Sequence, residues 1–431
     1  MRLPTFPPAL VLLAIFVACG GGATDTPRDG APPSPGRAPA NPAGCGSHEG
    51  AAPPGRAFPD AALRVPKGFV IETIASIGAA RELAPLPNGD LIVGTDGSDL
   101  YIVPNAEATP GSPQVFATLN DEKADGVTFV KARCEIYAAS MHHVWAIPYH
   151  GERKAPLVRR IADVRSGPVA PGTDGDVHTT TSVAYTGGLL YAAAGSSCNA
   201  TMDGGKQPCT EVDPTRAAVS VMNPDGSNFA QRAKRIRNAI ALAVNPETGS
   251  LWVGDAGQDR LPFGHPYEYL DDLSAHPGDA DYGWPECEEN HHVYWQGYNC
   301  TKTVEPLVEL PAYSTIIGAT FYPAHQPGPY GFPFSYRGGL FAATHGSWHT
   351  TANGCKAEPP RVVFVAMKGD RPAKRVDWND PTTQWTDFVT GFQTGCDSRV
   401  GRATGIAVGT KGSLFIADDD AGLIYRARPT H

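Results

Sequence analysis

Charge is scarce in this chain. Only 18% of the 431 residues are Asp, Glu, Lys or Arg, and the formal net charge is −9. No basic cluster reverses that balance locally, which argues against nucleic acid or another polyanion as a partner. No Cys-x-x-Cys occurs, so the commonest thiolate metal sites are missing, and no Cys-x-x-Cys-His, so haem is not covalently attached. A helical hydrophobic period of useful length is absent too. The apolar run from Ala9 to Val17 is too short to span a bilayer.

Turn formers are plentiful instead: 48 Gly and 41 Pro, with 41% hydrophobic residues. That combination suits an all-β globular protein. The length exceeds one ordinary domain, but an architecture built by radial repetition can grow to this size as one unit.

Residues 1–18 read as a signal peptide: Arg2, the apolar run, then small Ala18. Phe16-Val17-Ala18-Cys19-Gly20 resembles a bacterial lipobox, with Phe16 where Leu is usual. Lipidation of Cys19 would tether the protein to a membrane face outside the cytoplasm; plain secretion with cleavage nearby is the alternative. By resemblance to such signals, Gly20 rather than Asp after the Cys points to the outer membrane. Residues 19–60 are rich in Gly, Ala, Pro and Ser without hydrophobic period, as expected of a flexible linker. Residues 61–431 remain for the folded domain.

Nine cysteines less Cys19 leave eight, an even number that reads as disulfides in an exported protein. Proximity suggests Cys198–Cys209, Cys287–Cys300 and Cys355–Cys396, with Cys45–Cys134 as the remainder.

One pattern recurs six times: an apolar strand, a turn containing Gly, and a second strand ending in small residues. It spans Leu83 to Gly94, Gly126 to Ala138, Ser182 to Ala192, Ile240 to Gly254 and Ile406 to Ala417. A diluted copy joins Gly318–Tyr322 through an insertion to Gly339–Ala343. Alternating apolar residues around Asn-Gly, Gly-Gly or Lys-Gly turns are a hairpin signal. Six copies predict a six-bladed β-propeller with loops inserted between blades. The segment between Asp259 and Pro311, rich in acidic and aromatic residues, is expected at the active-site rim.

Four motifs stand in a fixed order: Arg235-Ile236-Arg237-Asn238, Tyr282-Gly283-Trp284-Pro285-Glu286-Cys287, Tyr336-Arg337-Gly338-Gly339-Leu340-Phe341 and His345-Gly346-Ser347-Trp348. Together they resemble the soluble quinoprotein sugar dehydrogenases, in particular the sorbosone dehydrogenase branch, from about Pro66 to Pro429. The resemblance implies a propeller that holds pyrroloquinoline quinone (PQQ) and Ca²⁺ at one end of its channel. It also implies oxidation of an aldose or related alcohol or aldehyde, with electrons leaving to a separate acceptor.

Residue by residue, the resemblance makes His178, just before the third repeat, the general base; a hydrogen-bonded loop histidine is the alternative. Arg237 and Asn238 would hold the cofactor, unless they belong to a solvated basic face with Lys234 and Arg235. The Gly283-Trp284-Pro285 turn would coordinate calcium through main-chain carbonyls, Gly283 and Pro285 being the expected ligands; a bracing aromatic turn is the alternative. Asp281 and Glu268 are candidates for a second calcium site. His345 would reach a cofactor carboxylate and Trp348 would cover a ring face, or pack in the core. Arg402, with Arg399 as a fallback, would bind a carboxylate.

Two departures stand out. His178-Thr179-Thr180-Thr181 lacks the Arg that relatives usually place within a few residues of the His, and Asp125 stands where many carry an amide or His. An acid there disfavours an anionic cofactor unless it is paired or bound to metal. The run Asp418-Asp419-Asp420 reads as a solvated loop. Two other readings stay open: a metal-dependent lactonase or esterase on the same architecture, and a propeller that binds a ligand or partner without catalysis.

Overall fold

The computed structural model describes Cys45 and residues 57–166, 178–202, 207–258, 264–325, 328–348, 350 and 353–430. The signal peptide, the lipidation site at Cys19 and most of the linker lie outside the described residues. Among the described residues the regular structure is β-strand, with three short 3₁₀ turns and no α-helix.

The repeats form the inner hairpins of six sheets. In the first blade Ala80–Pro85 and Leu91–Thr95 are followed by Asp99–Val103 and Gln114–Thr118. The second blade runs Gly126–Val130, Glu135–Ala139, His143–Pro148 and Arg159–Asp163. The third has Thr181–Thr186, Leu189–Ala194, Ala218–Met222 and Ala230–Lys234. Ala241–Val244, Leu251–Asp255, Glu268–Asp272 and Val308–Leu310 make the fourth. Ile316–Phe321, Leu340–Thr344, Arg361–Val365 and Trp385–Val389 make the fifth.

The sixth blade closes the ring. Its inner strands Ala403–Val408 and Leu414–Asp418 are followed by Leu423–Pro429, which pairs antiparallel with Phe69–Ser76 from the other end of the domain. Phe58–Pro59, ahead of the expected boundary at residue 61, adds an edge strand by pairing with Glu72 and Thr73. Each blade's first strand packs against that of the next, and the sixth against the first.

The burial pattern follows from that stacking. Second strands such as Leu91–Thr95, Leu251–Asp255 and Leu414–Asp418 are buried at every position, because a neighbouring blade covers each face. Between the fifth and sixth blades an aromatic cluster fills the gap: Phe69, Phe332, Phe341 and Phe388 meet with centroids 4.7 to 6.0 Å apart. Each fully buried Phe contributes about 1.5–3 kcal/mol of hydrophobic stabilisation. At the inner ring, blades approach so closely that side chains are excluded. A Cβ on Gly126 would lie 2.5 Å from the Thr181 carbonyl oxygen.

Four disulfides form, Cys45–Cys134, Cys198–Cys209, Cys287–Cys300 and Cys355–Cys396. These are the pairs that proximity suggests. Cys45, within the expected linker, is thereby pinned to the second blade.

Candidate active site

The first strands of the six blades begin at one end of the channel, since Gly126 meets Thr181 and Gly405 meets Arg81 across blade boundaries. Segments entering a blade, and loops joining its second and third strands, therefore gather at that mouth. Below it the first strands enclose a cavity of about 190 Å³ lined by Glu82, Thr128, Tyr185 and Thr320 among others. Burial pushes the Glu82 carboxyl up to about 8.

Blades three and four supply one half of the mouth. His178 is buried, and its Nδ1 lies 2.9 Å from both the carbonyl and the hydroxyl oxygen of Ser196. Ser196 Oγ donates to the Cys198 carbonyl (2.7 Å), so its hydrogen is committed there. Nδ1 therefore carries the imidazole proton and donates to Ser196, leaving Nε2 with its lone pair. Nε2 makes no hydrogen bond among the described residues. Burial, then the positive charges of Arg237 and Arg216, hold the imidazole neutral by driving its pKa well below the usual range. Arg216 braces this turn by donating to the Gly195 (3.2 Å) and Ser196 (2.8 Å) carbonyls.

Gly195 is the pivot. A Cβ there would run into the His178 side chain and lie 2.5 Å from Asn238 Oδ1, so only glycine lets the two meet. Asn238 Oδ1 is buried without a hydrogen-bond partner, while its backbone N–H donates to Asp255 Oδ1 (2.7 Å). Arg237 donates to the Ala256 carbonyl (2.8 Å) and to Asn199 Oδ1 (2.9 Å). The Asn199 carbonyl accepts from the Trp284 indole (3.1 Å).

Trp284 reaches this site because the insertion after Asp272 climbs the outside of the third blade, where Ala280–Asp281 pairs parallel with Ala233–Lys234. Gly283 takes a left-handed conformation (φ 94°), and its carbonyl accepts the Cys287 N–H (2.8 Å). Pro285 lines a cavity with Asp213, Arg235 and Glu286, to which Arg216 and Trp284 also contribute. The two candidates for a second calcium site face different partners: Asp281 accepts from Arg235 (2.7 Å), Glu268 from the Ile316 N–H (3.0 Å).

Blades five, six and one supply the other half. Arg402 donates to the His345 (2.9 Å) and Gly346 (2.8 Å) carbonyls. Burial and the neighbouring Arg399 lower its pKa to about 10. His345 Nε2 donates to Asp419 Oδ1 (2.8 Å), and burial lowers its pKa to about 4. Arg399 turns to the Ser347 and Glu358 carbonyls. Trp348 is 55% exposed on the loop between Leu340–Thr344 and Arg361–Val365.

The acidic run is only partly the solvated loop expected: Asp419 and Asp420 lie in a turn with Asp420 exposed, whereas Asp418 ends a strand. Asp418 is fully buried and accepts the N–H groups of Arg402 (2.9 Å), Asp420 (3.1 Å) and Ala421 (2.8 Å). Its register opposite Ala403 places it at the end of an inner strand, where a carboxylate can cap converging loops.

Sequence reasoning missed Arg81. It donates to Asp125 (3.2 Å), Asp419 (2.8 Å) and Thr180 Oγ1 (2.8 Å), joining the two halves. The unusual acid at Asp125 is thus paired. Burial still pushes its carboxyl up to about 7 against the pull of Arg81. Gln258, also missed, is 1% exposed with neither amide atom bonded.

The geometry brings His178, Arg237 and Asn238 together, and His345 with Arg402. It leaves Trp348 at the surface and places Pro285 beside a cavity that Arg216 and Trp284 also line. No protein-family model matches the chain. Among curated proteins it is similar to an uncharacterized protein of Borreliella burgdorferi, 21% identical over 375 residues, which cover 84% of this chain and 90% of that protein. Among solved structures it is similar to the holo form of the pyranose dehydrogenase PQQ domain from Coprinopsis cinerea. The TM-score there is 0.67 at 18% identity, covering 85% of this chain and 97% of that one. A calcium structure of a family AA12 carbohydrate-active enzyme from Trichoderma reesei gives 0.66 at 18%, covering 86% and 97%. These likenesses establish the propeller fold.

Proposed function

We propose that the protein is an exported PQQ- and Ca²⁺-dependent dehydrogenase that oxidises an aldose or a related alcohol or aldehyde. The observation that supports it best is the meeting, at one channel mouth, of a neutral buried histidine and a half-buried arginine, Arg402, held by uncharged oxygens. Arg402 uses two backbone carbonyls as acceptors, so its charge stays available to an anion. PQQ carries three carboxylates on a flat ring, and Arg402 and Arg237 suit them. The orphaned Asn238 Oδ1 suits a cation or an N–H group of a ligand. Calcium takes hard oxygen ligands, including backbone carbonyls. The Gly283 carbonyl keeps a second lone pair beyond its bond to Cys287.

Bound quinone would supply the two-electron hydride acceptor, and Ca²⁺ the polarising charge. The chain does the rest. His178 takes the substrate hydroxyl proton on Nε2, and Ser196 holds the ring by its Nδ1–H. Arg216 fixes the Ser196 carbonyl, so the base cannot rotate away. Four disulfides suit an oxidising compartment, in keeping with export and a lipid anchor at Cys19.

Purified apoprotein with PQQ and Ca²⁺ is expected to develop a bound-quinone absorption band that bleaches when aldoses are added. In His178→Gln the band forms, but bleaching slows by about 10²- to 10⁴-fold, the worth of a general base. Absence of quinone binding by the wild type would sink the reading. Lactone hydrolysis in its place would point to a metal-dependent lactonase on this fold.

A further inference from the structure

The third blade enters the mouth as His178-Thr179-Thr180-Thr181, with no basic residue of its own. A guanidinium is nevertheless present there. Arg81, second residue of the first blade's inner strand, reaches Thr180 Oγ1 with Nη2, Asp419 with Nη1 and Asp125 with Nε. Those partners belong to the third, sixth and second blades. Arg81 therefore ties four of the six blades at the one place where the two halves of the site face each other.

We propose that Arg81 is a positioning residue that sets the spacing between His178 and the Arg402–His345 half of the site. It holds the histidine's segment through Thr180, and it holds His345 through their shared partner Asp419 (2.8 Å to each). Three features favour a positioning role over a plain ion pair. The side-chain exposures are 12% for Arg81 and 0% for Asp125, so neither group is a surface decoration. Asp125 Oδ2 has no hydrogen-bond partner, so the pair is not tuned for mutual satisfaction alone. Arg81 donates from three separate nitrogens of a rigid planar fork, whereas the three N–H bonds of an ammonium radiate from a single atom and cannot span the same distance. Gly405 completes the arrangement, since any Cβ there would collide with the Arg81 carbonyl and push the sixth blade away.

The catalytic part of the test rests on the functional reading above; the histidine titration does not. Arg81→Ala would strand a buried carboxylate, so the informative variants are Arg81→Gln with Asp125→Asn, and Arg81→Lys. The double variant removes both charges of the pair together. It is expected to keep wild-type circular dichroism and sugar KM while kcat falls about 100-fold, the scale of a misplacement near 1 Å. In the apoprotein, NMR titration of His345 should move upward from about 4, because Asp419 loses its competing cation. Arg81→Lys should show the same kcat loss despite its retained charge.

Wild-type kcat in either variant would overturn the proposal. If wild-type protein binds no PQQ, the functional reading fails on its own, and the His345 titration still decides. An upward shift in the double variant supports the proposal, and an unmoved titration overturns it.

Discussion

Replacing Glu72 by Ala should unlatch the ring. Glu72 lies on Phe69–Ser76, directly opposite Arg426 on Leu423–Pro429. Its carboxylate accepts from Arg426 Nε (3.1 Å) and Nη2 (2.8 Å), and from Arg428 Nε (2.9 Å) and Nη2 (2.8 Å). Arg428 has 25% side-chain exposure and can turn to water; Arg426, at 4%, cannot. After truncation Arg426 keeps only the Ala106 and Ala108 carbonyls and the Tyr330 ring nearby. A buried ion stripped of its partner costs about 3–5 kcal/mol. Urea unfolding should show that loss as a lowered midpoint at unchanged slope.

Acid adds a second check on the same latch. Burial alone would raise the Glu72 pKa, but the hydrogen bonds from Arg428 and Arg426 outweigh it and hold it below 4.5. A depressed carboxyl contributes stability that is fully present above its unfolded pKa and is lost as pH falls through the folded value. The stability gap between wild type and Glu72→Gln should thus be constant above about pH 5 and shrink below about 4.5. A Glu72→Ala loss under about 1 kcal/mol, the ceiling for an exposed pair, would refute the claim that this ion cluster locks the closure.

Two other outcomes are expected. Arg402→Met should weaken PQQ binding by about 10- to 100-fold, since hydrogen bonds to charged groups are worth about 1.5–3 kcal/mol, and equilibrium dialysis would measure it. Replacing Cys355 and Cys396 together by Ser opens a link across 41 residues beside Arg399, and chain entropy sets the loss near 4 kcal/mol, readable by guanidinium unfolding.

The propeller was legible because each blade's first two strands carry both signals at once: apolar residues on a fully covered hairpin and a Gly-containing turn. The outer strands were fainter. Arg159–Asp163 is largely exposed and has only Ile161 and Ala162 as adjacent, not alternating, apolar residues, so it shows no strand period. The climb of the insertion beside Ala233–Lys234 left no trace, because a two-residue parallel pairing has no period. His178, Arg237 and Arg402 could be located at the mouth because each lies shortly ahead of an inner strand (those beginning at Thr181, Ala241 and Ala403). Arg81 sits inside one, where it reads as an ordinary polar alternation, and its partner Asp419 is 338 residues away. Asp418 misled for a similar reason. Three consecutive acids suggest water until the fold shows three N–H groups converging on the first.

The pairing of Phe69–Ser76 with Leu423–Pro429 also has a temporal meaning. A ribosome delivers the first of these strands some 350 residues before the second. Five blades can begin to form while the sixth has only Phe69–Ser76 with its edge strand Phe58–Pro59 and still lacks its three other strands, so an open edge stays exposed until the end of synthesis. Such distant partners make assembly slow. Every copy of the chain therefore passes through a stage in which the ring is open, and only the arrival of Leu423–Pro429 ends it.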